Sequence, residues 1–136
     1  MNKVYLYPYH PKSETAGLVA KELGIRRIKH KNSSVKDSKD LIIVNWGSSN
    51  LPYNEATIIN IPEGVAVAAN KLSFFRLADE SNVRIPRFTT DKEVAASWLN
   101  QGREVCIRKK LTANSGVGLS VISKLDDLVD APLYTQ

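Results

Sequence analysis

The sequence has 136 residues, of which 43% are hydrophobic and 24% charged, a composition typical of a globular protein that excludes collagen-like, coiled-coil and disordered chains. Lysine and arginine number 19 against 14 acidic residues, and a chain of this length buries enough surface to fold without metals or disulfides. The single cysteine, Cys106, cannot form an internal disulfide and cannot hold a zinc ion alone, which indicates a reducing compartment.

The apolar runs of the sequence have the length of strands. None reaches the roughly 18 residues that a membrane-spanning helix needs, and the longest include residues 41–44. Met1-Asn2-Lys3 passes directly into a strand-like run, without the basic, apolar and small-residue order of a secretory signal. We therefore expect a cytoplasmic protein without a membrane partner.

The first half of the chain predicts strands and one helix. The β-branched and aromatic run from Val4 to Tyr7, closed by prolines, indicates a short buried strand. Ser13 offers a helix N-cap, and apolar residues recur at helical spacing until Gly24. Two further strands are expected at residues 25–28 and 41–44, which makes the order β-α-β-β.

The region from Lys21 to Asp40 is strongly basic. It holds seven basic residues against three acidic ones, and the difference of four accounts for most of the net charge of +5. Such a patch attracts nucleic acid or another polyanion, because neutralised phosphates release counterions. The region contains no aromatic residue that would stack on bases, so a plain solvated face is the alternative interpretation.

A polar loop follows the third predicted strand, at residues 45–50. Open α/β sheets bind their ligands at the carboxyl ends of buried strands, which favours this loop as a substrate site. The candidate binding residues are Trp46, Gly47, Ser48 and Ser49. The alternative is a turn rich in glycine, serine and asparagine, in which the tryptophan packs as a plug.

A further apolar run at residues 58–61 predicts a strand, and a helix is expected from about residue 65 or 70 to residue 80. Lys71 lies beside the apolar line of this helix and by itself resembles an ordinary surface lysine. The buried face consists of Leu72, Phe75 and Ala78.

After residues 79–86, which form the predicted junction between two lobes, the pattern indicates a β-α-β-β-α-β order. Thr90 and Glu93 form a capping box for a helix. We expect a hairpin of strands 105–111 and 117–122 and a last short strand near residue 133. Such an order predicts a small antiparallel sheet backed by helices on one face. The buried stripe of the first helix would be Val94, Ala95, Trp98 and Leu99.

A second capping box follows the hairpin. Ser123 and Asp126 have the Ser-x-x-Asp spacing and predict a short helix before the last strand. Asp126 and Asp127 are adjacent carboxylates, but the helix start uses one of them, which disfavours a general acid and base pair.

The common catalytic motifs do not occur. The sequence has no Gly-x-x-x-x-Gly-Lys-Ser/Thr loop, no Gly-x-Ser-x-Gly elbow and no His-Glu-x-x-His. His10 and His30 have no second ligand at metal spacing. The residues therefore identify no catalytic group and no metal site.

The second half does contain a group of residues suited to phosphate. These are Lys71 on a helix, Arg108-Lys109-Lys110 at the end of a strand, and a small-residue loop over 112–118. Glycines allow backbone N–H groups to approach phosphate oxygens, and the cations balance their charge. Strand alternation would direct Arg108 and Lys110 to one face and Lys109 to the other. The alternative is that a tight hairpin needs its glycines for conformational reasons alone.

The order of these segments resembles ATP-grasp proteins, particularly short phage-type ones. The resemblance covers about residue 60 to the C-terminus in motif detail, whereas the first half resembles the N-terminal α/β domain of that family only in topology. The segments that carry it are Asn70-Lys71, Phe74-Phe75, residues 83–89, residues 105–109, Ser115-Gly116-Val117-Gly118 and Leu133-Tyr134.

The resemblance implies an α/β fold of two lobes. Residues 1–85 would form a three-layer-like, pre-ATP-grasp α/β domain, and residues 86–136 a small α+β antiparallel lid subdomain. It also implies that a lysine before the first lid helix, a basic lid-strand residue and a glycine-rich loop contact ATP phosphates. The corresponding residues are Lys71, Arg108, and Ser115, Gly116 and Gly118 of the loop. Lys110, on the same predicted strand face as Arg108, is a further candidate for phosphate binding. The family usually has lysine where Arg108 stands, although a guanidinium binds phosphate through a bidentate fork.

The resemblance further implies an ATP- and magnesium-dependent ligase that joins a carboxylate to an amine or thiol. In that family the domain after the lid supplies the magnesium ligands. We therefore expect this chain to be inactive alone and to depend on a C-terminal domain or a second chain. The alternative function is a non-catalytic basic module that binds nucleic acid or an acidic protein through the region 21–40.

Overall fold

The computed structural model describes residues 3–30, 33–113 and 116–136. The chain divides into two compact units, Met1–Ala66 and Val67–Gln136. Within the described residues, no helix has the length and the apolar character that crossing a membrane requires.

The first unit contains a four-stranded parallel sheet with the order β2-β1-β3-β4. The longest pairing joins β1 to β3 over six residue pairs, from Lys3 with Leu41 to Pro8 with Trp46. Helix α1 follows its predicted N-cap, Ser13, whose hydroxyl accepts a hydrogen bond from the N–H of Ala16. The elements are β1 (Lys3–Pro8), α1 (Glu14–Glu22), β2 (Arg26–Arg27), β3 (Leu41–Trp46) and β4 (Thr57–Ile59).

Alternation along β1 divides the core of the first unit between the two faces of the sheet. Leu6 packs against Ala16 and Ala20 of α1, whereas Tyr7 belongs to a cluster on the other face with Ile43 and Tyr53. Burying a side chain such as Leu6 contributes about 1.5–3 kcal/mol. The α/β fold expected of the first lobe is confirmed, and its strands β1 and β3 bury residues on both faces of a parallel sheet.

The second unit contains an antiparallel sheet of four strands with the order β5-β8-β6-β7. The predicted hairpin is confirmed, but its first strand ends at Arg108 rather than at residue 111. A 3₁₀ helix spans Leu125–Asp127. Helix α2 (Pro62–Ala69) includes residues of both units. The other elements of the second unit are α3 (Lys71–Glu80), β5 (Phe88–Thr89), α4 (Lys92–Asn100), β6 (Val105–Arg108), β7 (Leu119–Ile122) and β8 (Leu133–Thr135).

Tyr134 lies at the centre of the second core. The ring is 1% exposed and packs with Trp98 and Ile107. Its hydroxyl donates to the carbonyl of Val129 at 2.9 Å and accepts from the N–H of Ala131 at 2.8 Å. These bonds satisfy the buried hydroxyl and anchor the segment between the 3₁₀ helix and β8.

Both predicted capping boxes are wrong. Asp91, not Thr90, is the N-cap of α4, and its carboxylate accepts from the N–H of Glu93 at 2.8 Å. The 3₁₀ helix begins after Lys124 and has no side-chain cap. Asp91 has the extended backbone geometry of an N-cap. Its carboxylate accepts hydrogen bonds from the first N–H groups of the helix more strongly than the Thr90 hydroxyl would.

The buried stripe of α4 is narrower than predicted. Ala95, Trp98 and Leu99 are buried, whereas Val94 is 38% exposed. Positions 95, 98 and 99 have the i, i+3, i+4 spacing of one helix face, and residue 94 lies about 100° away from the first of them.

The Asp37 carboxylate joins two loops of the first unit. It accepts from the backbone N–H groups of Asn54, Glu55 and Ala56 at 2.6, 3.0 and 3.0 Å. The bond from Asn54 is the largest cause that lowers the pKa of Asp37 below its usual value.

A group with a depressed pKa stabilises the fold above its unfolded pKa of about 3.9, and this stabilisation is lost as the pH falls through the folded value. We therefore expect Asp37→Asn to lower stability at neutral pH and to flatten the loss of stability below about pH 4. Urea unfolding measured across this pH range checks the expectation, with Asp40→Asn, an exposed carboxyl nearby, as control. Equal acid sensitivity in Asp37→Asn and the unaltered chain would contradict it.

Candidate functional site

The candidate site in the second unit is built on the loop of the β6–β7 hairpin. The paired strands end where Arg108 faces Leu119. Beyond this pair, the N–H of Lys109 donates to the carbonyl of Gly118 at 2.8 Å, and the N–H of Leu119 donates to that of Gly116 at 3.1 Å. Asn114 and Ser115 lie outside the described residues.

Lys71 is the first residue of α3, and its backbone is bonded to the hairpin. Its N–H donates to the carbonyl of Leu111 at 3.0 Å. Its ammonium lies 3.3 Å from the carbonyl of Ala68 and 5.9 Å from the centre of the Phe74 ring. The fold thus brings Lys71 to Leu111, the residue that follows Lys110, although the two lie 40 positions apart in the sequence.

The three consecutive cations of the hairpin differ in their surroundings. Arg108 is half-buried, and its Nε is shielded from solvent without a hydrogen-bond partner among the residues that the structure describes. Lys109 and Lys110 are exposed. Because the strand ends at Arg108, its alternation does not govern Lys110, whose side chain instead packs against Gly118.

The two glycines of the loop have left-handed backbone geometry. Gly116 has φ of 76° and Gly118 has φ of 77°. This conformation is unfavourable for residues with a Cβ atom, so the loop needs glycine at both positions for conformational reasons. The same geometry leaves the loop backbone without side chains that would keep a ligand away.

The polar loop of the first unit is organised by Asn45, which the sequence reasoning missed. This side chain is 0% exposed. Its amide group donates to the carbonyls of Ser48 and Asn60, both at 2.8 Å, and its carbonyl accepts from the N–H of Ser48 at 2.9 Å. The only sequence signal is a polar residue at an inward position of an apolar strand.

The four residues predicted to bind substrate have different positions. Trp46 packs beside the core cluster of Leu6 and α1, as the alternative interpretation expects. Gly47 and Ser49 are exposed, whereas Ser48 is half-buried and bonded to Asn45. Their role in substrate binding stays a prediction.

The described residues suit phosphate better than a metal ion. Cations and glycine backbone lie together in the second unit, and these are the groups that bind polyphosphate. In the same described part of the chain, no three acidic, histidine or cysteine side chains are grouped as metal ligands. Magnesium therefore does not fit the described residues, and we derive no step through it.

No protein-family model matches the sequence, and no curated protein matches it. Solved structures do match in fold. Carboxyaminoimidazole ribonucleotide synthase from Aspergillus clavatus, complexed with ATP, has a TM-score of 0.62 and 12% identity over 98% of this chain. D-alanyl-alanine synthetase A from Vibrio cholerae has a TM-score of 0.60 and 13% identity over 99%. An ATP-grasp RimK domain protein from Sphaerobacter thermophilus has a TM-score of 0.60 and 13% identity over 98%.

These structures show the class of fold. The parallel and antiparallel sheets are those of the N-terminal and lid portions of ATP-grasp proteins, so the chain has a partial ATP-grasp fold. The matched region spans 46%, 59% and 63% of the three larger chains, less than two thirds of each.

The two loop glycines give a matched pair of substitutions. A Cβ at Gly118 would lie 3.3 Å from Cγ of Lys110 and 3.5 Å from its backbone nitrogen, whereas a Cβ at Gly116 meets no described atom within 4 Å. We expect Gly116→Ala to cost about 1–2 kcal/mol for its left-handed φ, and Gly118→Ala to cost more because Lys110 must also move.

Urea unfolding of both variants measures this difference, with Gly102→Ala as control. Gly102 has φ of 76° and open space around its Cβ position among the described atoms, so this variant should resemble Gly116→Ala. Equal costs at Gly116 and Gly118 would show that Lys110 does not pack on the loop.

Proposed function

We propose that the second unit binds the phosphates of ATP. The observation that carries this proposal is the hydrogen bond from the N–H of Lys71 to the carbonyl of Leu111, which joins the start of α3 to the cationic hairpin. Lys71, Arg108 and Lys110 supply positive charge, and Gly116 and Gly118 supply accessible backbone. Ser115 enters only through the resemblance to ATP-grasp proteins.

Each group has a distinct part in this proposal. Arg108 presents a planar fork of donors that can bind two phosphate oxygens together. Its Nε is shielded from solvent. Lys71 and Lys110 act as point charges on flexible stems. To reach a phosphate, the ammonium of Lys71 exchanges its contact with the Ala68 carbonyl for a charged partner, which is a stronger bond.

The substrate class follows from the fold analogy. We propose that the complete protein is an ATP-dependent ligase that joins a carboxylate to an amine or a thiol, and that residues 46–49 face the acceptor. The carboxyl end of β3 is where open parallel sheets bind ligands, which supports this position for the loop. The rest of the ligase, including magnesium ligands, would come from a C-terminal domain or a second chain, since the chain spans less than two thirds of its structural relatives.

The chain alone should bind ATP weakly. We expect a dissociation constant near or above about 1 mM, which corresponds to roughly 4 kcal/mol. Amide chemical shifts of the ¹⁵N-labelled chain, recorded during titration with ATP and magnesium, should change most at Lys71, Leu111 and residues 116–119. Micromolar affinity would contradict the proposal that this chain holds only part of the ATP site. Chemical-shift changes confined to the first unit would contradict the phosphate site in the second unit.

Arg108→Ala tests the proposed contact between Arg108 and phosphate, and Lys109→Ala, which removes an equal charge from the next residue, is the control. We expect Arg108→Ala to weaken ATP binding about 10-fold or more, since a hydrogen bond to a charged group contributes about 1.5–3 kcal/mol. Lys109→Ala removes the same charge from an exposed side chain and should leave affinity nearly unchanged. Thermal unfolding of both variants verifies the fold. Equal weakening by both substitutions would indicate general attraction rather than a site at Arg108.

A further inference from the structure

The edge strand β2 divides its two arginines between opposite faces of the first sheet. Arg26 pairs with Tyr5, and Arg27 pairs with Leu6. Paired residues of parallel strands project to the same face. Accordingly, Arg27 reaches the α1 side, where its guanidinium donates to the carbonyl of Ser13 at 2.8 Å. Arg26 lies with Tyr5 on the face opposite α1.

Tyr5 lies where two adjoining depressions of that face meet. Each has a volume of about 280 Å³, and Tyr5, Ser34 and Val35 line both. We call them together the Tyr5 groove. No carboxylate occurs among the described residues that line it, and its cations are Lys3, Arg26, Lys29 and Lys36, whereas the guanidinium of Arg27 lies on the α1 side.

The groove has the chemistry of a site for an extended anion. The volume of each depression is below that of ordinary ligand pockets, which begin at roughly 300 Å³. Adjoining depressions can instead hold successive units of a linear polymer. Lys3, Arg26, Lys29 and Lys36 are exposed, so their ammonium and guanidinium groups are available to successive charges. A polyanion is therefore favoured over one compact ligand.

Tyr5 narrows the class of polyanion. Its ring is half-buried against the cluster of Tyr7 and Ile43, so it is fixed in orientation, yet it lines the groove. An aromatic ring on a sheet face, surrounded by cations, is the arrangement by which proteins stack single-stranded bases. An acidic peptide makes no specific use of such a ring.

We propose that the Tyr5 groove binds single-stranded nucleic acid, with a base stacked on Tyr5 and phosphates on the surrounding cations. The region 21–40 contains no Phe, Tyr or Trp, its His30 ring is stacked on Tyr7, and the parallel pairing of β1 with β2 places Tyr5 beside Arg26. The site belongs to the first unit alone and does not depend on ATP binding by the second.

Fluorescence anisotropy with a labelled oligothymidylate of about 12 nucleotides tests the proposal. We expect affinity to fall steeply with salt. Arg26→Ala should reduce the slope of log affinity against log salt by about 0.7, the value for one phosphate contact on a single strand. Lys21→Ala removes an exposed charge on α1, which packs on the opposite face, and should leave the slope unchanged.

Substitutions at Tyr5 test stacking separately from charge. Tyr5→Leu should weaken binding about 5- to 100-fold, whereas Tyr5→Phe keeps the ring and should retain the affinity. Circular dichroism and thermal unfolding establish that both variants fold.

Three results would overturn the proposal. The first is no binding at low salt, and the second is an equal effect of Arg26→Ala and Lys21→Ala. The third is polyglutamate that competes as well as the oligonucleotide while Tyr5→Leu has no effect, which would assign the groove to acidic proteins instead.

Discussion

The hydrogen bond from the N–H of Lys71 to the carbonyl of Leu111 is the contact on which the candidate phosphate site depends. It uses one of the N–H groups that the first turn of α3 leaves without a helical partner. The side-chain oxygen of Asn70, the N-cap, accepts a hydrogen bond from the backbone N–H of Ser73. The helix therefore begins at the hairpin loop. The Lys71 side chain can adopt many rotamers, but the hydrogen bond to Leu111 holds the Lys71 backbone beside the hairpin that carries the other cations.

The loop between Arg108 and Leu119 combines constraint with access. Backbone bonds close it at Gly118 and Gly116, and the Lys110 side chain lies near the position that a Cβ at Gly118 would occupy. The conformational and functional explanations of these glycines are thus compatible. Glycine tolerates the positive φ and also lacks a Cβ, so the backbone at these two positions can approach an anion closely.

The two units offer different chemistry to anions. The second presents a few cations around a glycine loop, which suits the compact charge of a triphosphate. The first presents cations spread over two shallow depressions with one aromatic ring, which suits a polymer. Fold similarity at 12–13% identity defines the frame on which these side chains lie and does not by itself decide which anion each unit binds.

Local signals in the sequence predict most of the strands and helices, although the one helix expected before residue 80 is two helices, α2 and α3. The run Val4 to Tyr7, the Ser13 cap and the β6–β7 hairpin all follow from alternation, capping and turn residues. The candidate phosphate residues were also identified from sequence order and resemblance. Tertiary structure alone decided which of them lie near one another, since the Lys71–Leu111 bond and the Tyr5–Arg26 pair join residues far apart in the chain. Thr90 and Asp91 are both suitable N-caps by sequence, and the structure shows that α4 uses Asp91. Packing fixes which face of the helix is buried.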